Sequence, residues 1–243
     1  PALVFAVLIA ATDPVAVIAL FKDLGIEGRT RLLVESESLF NDGVAAVLFA
    51  LALTWISGTP TGVGLPWHLL ITMSGGGILI GLAVGLAALL VAGRTGDHLV
   101  ETAVTVAASY GAFLLAEDFH FSGVLATVTA GLVIGAVGVR ATGRRLGLSR
   151  QGRVFAMEFW EFLAFIANSA VFRLIGASAS RVHFNALGYT SLIVTIVLVL
   201  VGRAASVYPL SFVFRSSRWR IAIAEQHVLF WAGLRGALAL ALA

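Results

Sequence analysis

Hydrophobic residues fall along this chain in long blocks separated by short polar segments. Blocks long enough to cross a hydrocarbon core of about 30 Å lie at about 1–22, 31–57, 69–92, 99–117, 122–139, 154–175, 187–208 and 226–243. Each is apolar on nearly every face and rich in Leu, Ala, Val and Gly, which predicts helices. Transmembrane strands would instead alternate over segments of about ten residues. The expected fold class is all-α, a polytopic membrane protein of about eight transmembrane helices.

Composition agrees, with 59% hydrophobic and 12% charged residues and a mean hydropathy of +0.99. The absence of Cys removes disulfides, zinc–thiolate sites and thiol chemistry together. A net charge of +3 does not point to nucleic acid, because the basic residues sit between apolar blocks. Lys22, Arg29 and Arg31 follow the first block, Arg94 the third, Arg140, Arg144, Arg145, Arg150 and Arg153 the fifth, and Arg215, Arg218 and Arg220 the seventh. The second and fourth connections hold no Lys or Arg, and the sixth holds Arg181. The positive-inside rule then makes the connections around 23–30, 93–98, 140–153 and 209–225 cytoplasmic and puts Pro1 on the outer side. The chain opens without Met and closes at Ala243 within an apolar run, so both ends are expected to be cuts from a longer protein.

The first block contains Thr12-Asp13-Pro14. Proline lacks an N–H, frees the carbonyl of Ala10 and biases Asp13 away from helical angles, so a helix break is expected there. Asp13 is expected as N-cap of the second half and Pro14 as its first helical residue. In the second block, Glu37, Ser38, Asn41 and Asp42 share about 140° of one helical face, with Leu39, Phe40, Val44 and Val47 as apolar neighbours. Oxygen donors of Asp, Asn, Ser and Thr suit a hard cation, and an ionised carboxylate balances its charge. Ionisable groups at membrane depth mark ion or proton paths. A structural hydrogen-bond network is the bland alternative. In the last block, Arg235 between Gly233 and Gly236 suggests a second break, and Glu37 is the expected partner of Arg235 in a structural ion pair. Glycines at 75, 76, 77, 81 and 85 read as close helix packing, and Arg140 to Arg153 as a topogenic cluster that can also attract anionic headgroups.

Several ordered motifs together resemble the monovalent cation/proton antiporters that include bacterial NhaP and the animal sodium/proton exchangers. They are Thr12 to Val17, Glu37-Ser38-Leu39-Phe40-Asn41-Asp42, Phe159-Trp160-Glu161-Phe162-Leu163-Ala164-Phe165, Arg203 with Val207-Tyr208-Pro209-Leu210, and Gly233-Leu234-Arg235-Gly236-Ala237. The resemblance implies a thirteen-helix inverted-repeat transporter with two crossing discontinuous helices, of which this chain would hold the fifth to twelfth. It implies a core transport bundle from 1–57 and 187–243, a linker helix at 69–92 and scaffold or dimerisation helices at 99–175. Asp42 would be cation ligand and proton carrier, with Asn41, Ser38, Asp13 and Thr12 around it. The Asn41-Asp42 pair resembles the electroneutral branch. No cofactor is implied beyond the transported Na+ and H+, with Li+ or K+ as alternative cations. Plasma-membrane location, a homodimer and a role in pH homeostasis are implied as well. Two other readings remain open: a non-transporting membrane sensor or scaffold of the same fold, and an intramembrane aspartyl protease using Asp13 and Asp42. Against the protease, Leu39-Phe40-Asn41 precedes Asp42 where such proteases carry Gly-x-Gly.

Overall fold

A computed structural model describes residues 2–26, 28–56, 66–140, 147–180, 188–217 and 219–233. Its helices are α1 (Ala2–Ala10), α2 (Val15–Asp23), α3 (Arg29–Ile56), α4 (Pro66–Ala92), α5 (His98–Asp118), α6 (Gly123–Arg140), α7 (Arg150–Ala179), α8 (Tyr189–Val213) and α9 (Ile223–Ala232), with a 3-10 turn at Phe214–Ser216. Five of them, α3, α4, α5, α7 and α8, contain spans long and apolar enough to cross a membrane, and α6 is a shorter apolar helix. The halves α1 and α2, nine residues each, reach only about 14 Å apiece and span nothing singly. The protein is an all-α polytopic membrane protein.

Local chemistry explains where helices start and stop. Asp97 caps α5 by accepting the Leu99 N–H at 2.8 Å, and the Ser149 hydroxyl accepts the Gly152 N–H at 2.9 Å at the start of α7. At the end of α5 the chain turns through His120 at φ 58°, with Phe121 N–H donating to the Ala116 carbonyl and His120 N–H to that of Glu117. This is the left-handed C-terminal turn that usually takes glycine. Gly25, at φ 64°, closes α2 in the same way. Several expected boundaries move: α4 starts at 66 instead of 69, α7 runs 150–179 instead of 154–175, and α9 starts at 223 instead of 226. α8 continues through Pro209 to Val213 instead of ending at 208, because a proline near a C-terminus forfeits one intrahelical bond without stopping the chain.

The described residues form two compact units: residues 1–7 with 43–169, and residues 8–42 with 170–243. The first is built on α4, α5 and α6, whose shared core is small: Ala112, Ala116, Ala126 and Ala130, flanked by Ile80, Val84 and Phe121. Small residues let backbones approach, which is how helices associate where lipid removes the hydrophobic incentive. Gly81 and Gly85 face the α6 backbone, Gly77 faces the Ser122 carbonyl just before α6, and Gly76 lies against the Phe121 ring, as the packing reading expected. Gly75 faces open space. In the second unit Phe21, Val34, Leu229 and Ala232 form the core, joining α2, the first half of α3, and α9.

A side chain at Gly81 would collide with the Ala126 carbonyl, whereas one at Gly75 meets nothing. Gly81→Leu is therefore expected to cost at least about 1–3 kcal/mol of stability, and Gly75→Ala to be neutral or slightly stabilising. Thermal unfolding of the two variants in one detergent checks the contrast.

Candidate functional site

The expected break in the first block is present. Helix α1 ends at Ala10, residues 11–14 are not helical, and α2 begins at Val15. The capping differs in detail from the sequence expectation. Pro14 (φ −88°, ψ 5°) occupies the N-cap position instead of the first helical one, and Asp13 sits one residue further out. The Asp13 carboxylate still answers a free amide, accepting the Val15 N–H at 2.9 Å. The electrostatic purpose survives the one-residue shift, because the carboxylate meets the positive end of α2.

Helix α3 supplies the partners that the interrupted backbone lacks. Asn41 Nδ2 donates to the Ala10 carbonyl at 2.5 Å and to Thr12 Oγ1 at 3.2 Å. The Ser38 hydroxyl donates to the Thr12 carbonyl at 2.6 Å. Ala11, Thr12 and Ser38 are all buried. The Ala10 carbonyl is the one that Pro14 leaves without its helical donor, so Asn41 satisfies the deficit that the proline creates. Ser38, Asn41 and Asp42 thus face the break, as their shared helical face predicted. Leu39, Phe40 and Val44, expected as its apolar neighbours, lie on the exposed side of α3 instead, while Val47 is buried.

Asp42 stands apart from this network. Its Oδ1 is buried and has no hydrogen-bond partner among the described residues. The Thr12 backbone and the Asp13 carboxylate both lie near enough to the Asp42 carboxylate to act on it electrostatically. Two carboxylates at one helix break, with one oxygen unpartnered, form a site whose negative charge calls for a proton or a cation. Ser38 Oγ keeps lone pairs beyond the proton it donates, so hard oxygen donors surround the position.

Glu37 takes a different role. Arg203 of α8 grips it bidentately, Nη1 to Oε1 at 2.6 Å and Nη2 to Oε2 at 2.9 Å, and Nη2 also donates to the Leu229 carbonyl at 2.6 Å. The guanidinium lies against Gly233, where a Cβ would overlap it. One buried cation therefore ties α3 to α9 beside the point where α9 stops. The expected partner of Glu37 was Arg235; the described partner is Arg203, while Arg235 and Gly236 lie outside the described residues. Gly233 does follow the last helical residue, Ala232. Sequence reasoning quoted Arg203 but gave it no role. The signal was present, because an Arg inside the apolar α8 demands an acidic partner by the same logic that was applied to Arg235. His227, by contrast, is joined to the Tyr208 hydroxyl through Nδ1 at 2.9 Å, and Glu225 caps the start of α9 by accepting the Ala222 N–H at 2.8 Å.

An all-α membrane protein with a broken helix, an oxygen-lined acidic site and a buried carboxylate–guanidinium pair is the class these features define. The sequence model of the sodium/hydrogen exchanger transmembrane family matches residues 1–243, and the chain belongs to that family. It is 38% identical over its whole length to the Na+/H+ antiporter ApNhaP of Aphanothece halophytica, covering 46% of that protein. It is also 38% identical, over 97% of its length, to the low-affinity Na+/H+ antiporter NhaS1 of Synechocystis, covering 45% of that protein. Against the Na+/H+ antiporter NhaH of Halobacillus aidingensis identity is 34% over the whole chain and 59% of the relative. The chain spans about half the length of the curated relatives it matches.

Removing either member of the Glu37–Arg203 pair strands a charge. Glu37→Gln and Arg203→Gln are each expected to lose stability toward the lower end of about 3–5 kcal/mol, since Glu37 keeps some exposure. The double variant should recover part of that loss. A double-mutant cycle on thermal unfolding of the full-length parent measures the coupling.

Proposed function

We propose that this chain forms the ion-handling part of a secondary transporter that exchanges Na+, or Li+ or K+, for protons. The observation that carries this reading is the unpartnered Asp42 Oδ1 beside a break whose Ala10 and Thr12 carbonyls already have donors. Asp42 binds either a proton or a partly dehydrated cation, and Ser38, Thr12 and Asp13 contribute oxygens. Asn41 holds the break in shape. Because one carboxylate serves both ions, each displaces the other, and exchange follows without a second coupling site. Loading by one Na+ or one proton leaves the same net charge, so the exchange is electroneutral at one for one.

The loaded site crosses by alternating access. Residues 1–57 and 187–243 form the moving bundle, 69–92 the linker, and 99–175 the scaffold through which two copies pair. Among the described residues the site residues all fall within one compact unit, 8–42 with 170–243, although residues 1–7 and 43–57 of the proposed bundle group with the other unit. The whole protein is a thirteen-helix inverted-repeat antiporter of the plasma membrane, with the basic connections on the cytoplasmic side. The names of the relatives, all Na+/H+ antiporters, support the same substrates.

Competition at one carboxylate has a measurable signature in proteoliposomes of the full-length parent. At acid pH the half-saturating Na+ concentration should rise about tenfold for each unit by which the pH falls, because one proton excludes one cation. Dissipating the membrane voltage should leave the rate unchanged. Asp42→Asn should abolish cation-triggered proton movement, and persistence of that movement at the normal rate would overturn the carrier assignment.

A further inference from the structure

The first unit contains a cavity of about 450 Å³ between α5, α6 and α7, remote in sequence from the residues around Asp42. Its floor is set by Gly131 and Gly135, one turn apart on α6, and a Cβ at either position would meet no atom within 4 Å. The glycines therefore leave room that no protein group fills. The slot runs from Thr127 past Gly135, about 12 Å along α6 at the helical rise.

The threonine hydroxyls in its wall are spoken for. Thr105 Oγ1 accepts the Trp160 indole N–H at 3.0 Å and donates to the Thr102 carbonyl at 2.8 Å, and the Thr127 hydroxyl bonds the carbonyls of Gly123 at 3.0 Å and Ser109 at 3.3 Å. A wall whose threonine hydroxyls have partners and whose remaining lining is chiefly Ala, Gly, Ile, Leu, Met and the Trp160 ring presents a mainly apolar surface, which disfavours ions and accepts hydrocarbon. At the other end the character changes. Arg153 lines the rim, one turn into α7, and Arg150 begins that helix. The α7 N-terminus is not what an anion would meet there, because Glu101, itself buried, already accepts the Ser149 N–H and hydroxyl, each at 3.0 Å.

From this juxtaposition we propose that the α5–α6–α7 slot is a binding site for an anionic phospholipid, one acyl chain lying over Gly131 and Gly135 and the headgroup at Arg153. Basic pockets between transmembrane helices favour such headgroups, and a hydrocarbon chain matches both the length and the apolarity of the slot. Charge complementarity selects the lipid class, and the glycine floor selects an extended chain over a bulky ring. The site is independent of the ion-exchange reading.

The test uses the full-length parent, purified with equimolar phosphatidylglycerol and phosphatidylcholine and examined by native mass spectrometry. The wild type should retain phosphatidylglycerol preferentially. Gly131→Leu and Gly135→Leu, whose side chains enter open space, should lose about one bound lipid per chain while unfolding at the wild-type temperature. Arg153→Gln should keep the lipid but lower the preference for phosphatidylglycerol by about fivefold, the worth of one basic residue near an anionic surface. Unchanged retention in both glycine variants, or an unchanged preference in Arg153→Gln, would overturn the proposal. A photoreactive benzoylphenylalanine at Met157, which lines the same cavity, supplies a second readout. A lipid adduct supports the site, and an adduct to polypeptide would mean that protein covers the slot and would overturn it.

Discussion

Everything around Asp42 depends on one constraint: a backbone carbonyl at membrane depth must find a donor inside the protein. Pro14 has no N–H to give the Ala10 carbonyl, so α1 and α2 cannot be continuous unless something else compensates. Helix α3 does so through Asn41, while Ser38 binds the Thr12 carbonyl. These bonds fix the register of α3 against the break, and the register in turn places Asp42 at it. A polar site thus arises from a missing hydrogen-bond donor, and its shape is set by the residues that replace that donor.

Arg203 performs the corresponding task for Glu37, at the edge of the same α3 face. A guanidinium presents a rigid fork, and here it serves two oxygens of Glu37 and the Leu229 carbonyl near the end of α9. Its planar group occupies the space that a side chain at Gly233 would need. Lys could reach Glu37 but could not hold all three oxygens in one plane. The acidic face of α3 is therefore divided: Glu37 is neutralised by a fixed cation, whereas Asp42, five residues further on, keeps a buried oxygen without a partner among the described residues and, in the proposed exchange, takes a mobile one. In the proposed exchange this division separates a structural carboxylate from a working one on the same helix.

Much of this was legible in the sequence, for physical reasons that can be named. The helical blocks follow from length and apolarity, the break from Thr12-Asp13-Pro14, and the site face from the spacing of Ser38, Asn41 and Asp42, because each is a local property. The one-residue shift of the cap at Pro14 and the passage of α8 through Pro209 were less legible, since propensity sets tendencies and packing sets ends. The partner of Glu37 was not legible at all by spacing. Arg203 lies 166 residues away in sequence, and choosing between two intramembrane arginines requires knowledge of which helices touch. The glycine run on α4 marked close packing, but that α6 was the neighbour had to come from the fold. The slot beside Trp160 was invisible because its floor is made by glycines whose meaning is the space they leave.

The central claim is that one carboxylate exchanges a proton for a cation, and proton release on cation binding tests it most directly. Calorimetric titration of the full-length parent with NaCl, in buffers of different ionisation enthalpy, counts the protons released per Na+ bound. Below the pH at which Asp42 gives up its proton, the account predicts a count approaching one and a count of zero in Asp42→Asn. Saturable Na+ binding that releases no proton at any acidic pH would contradict it.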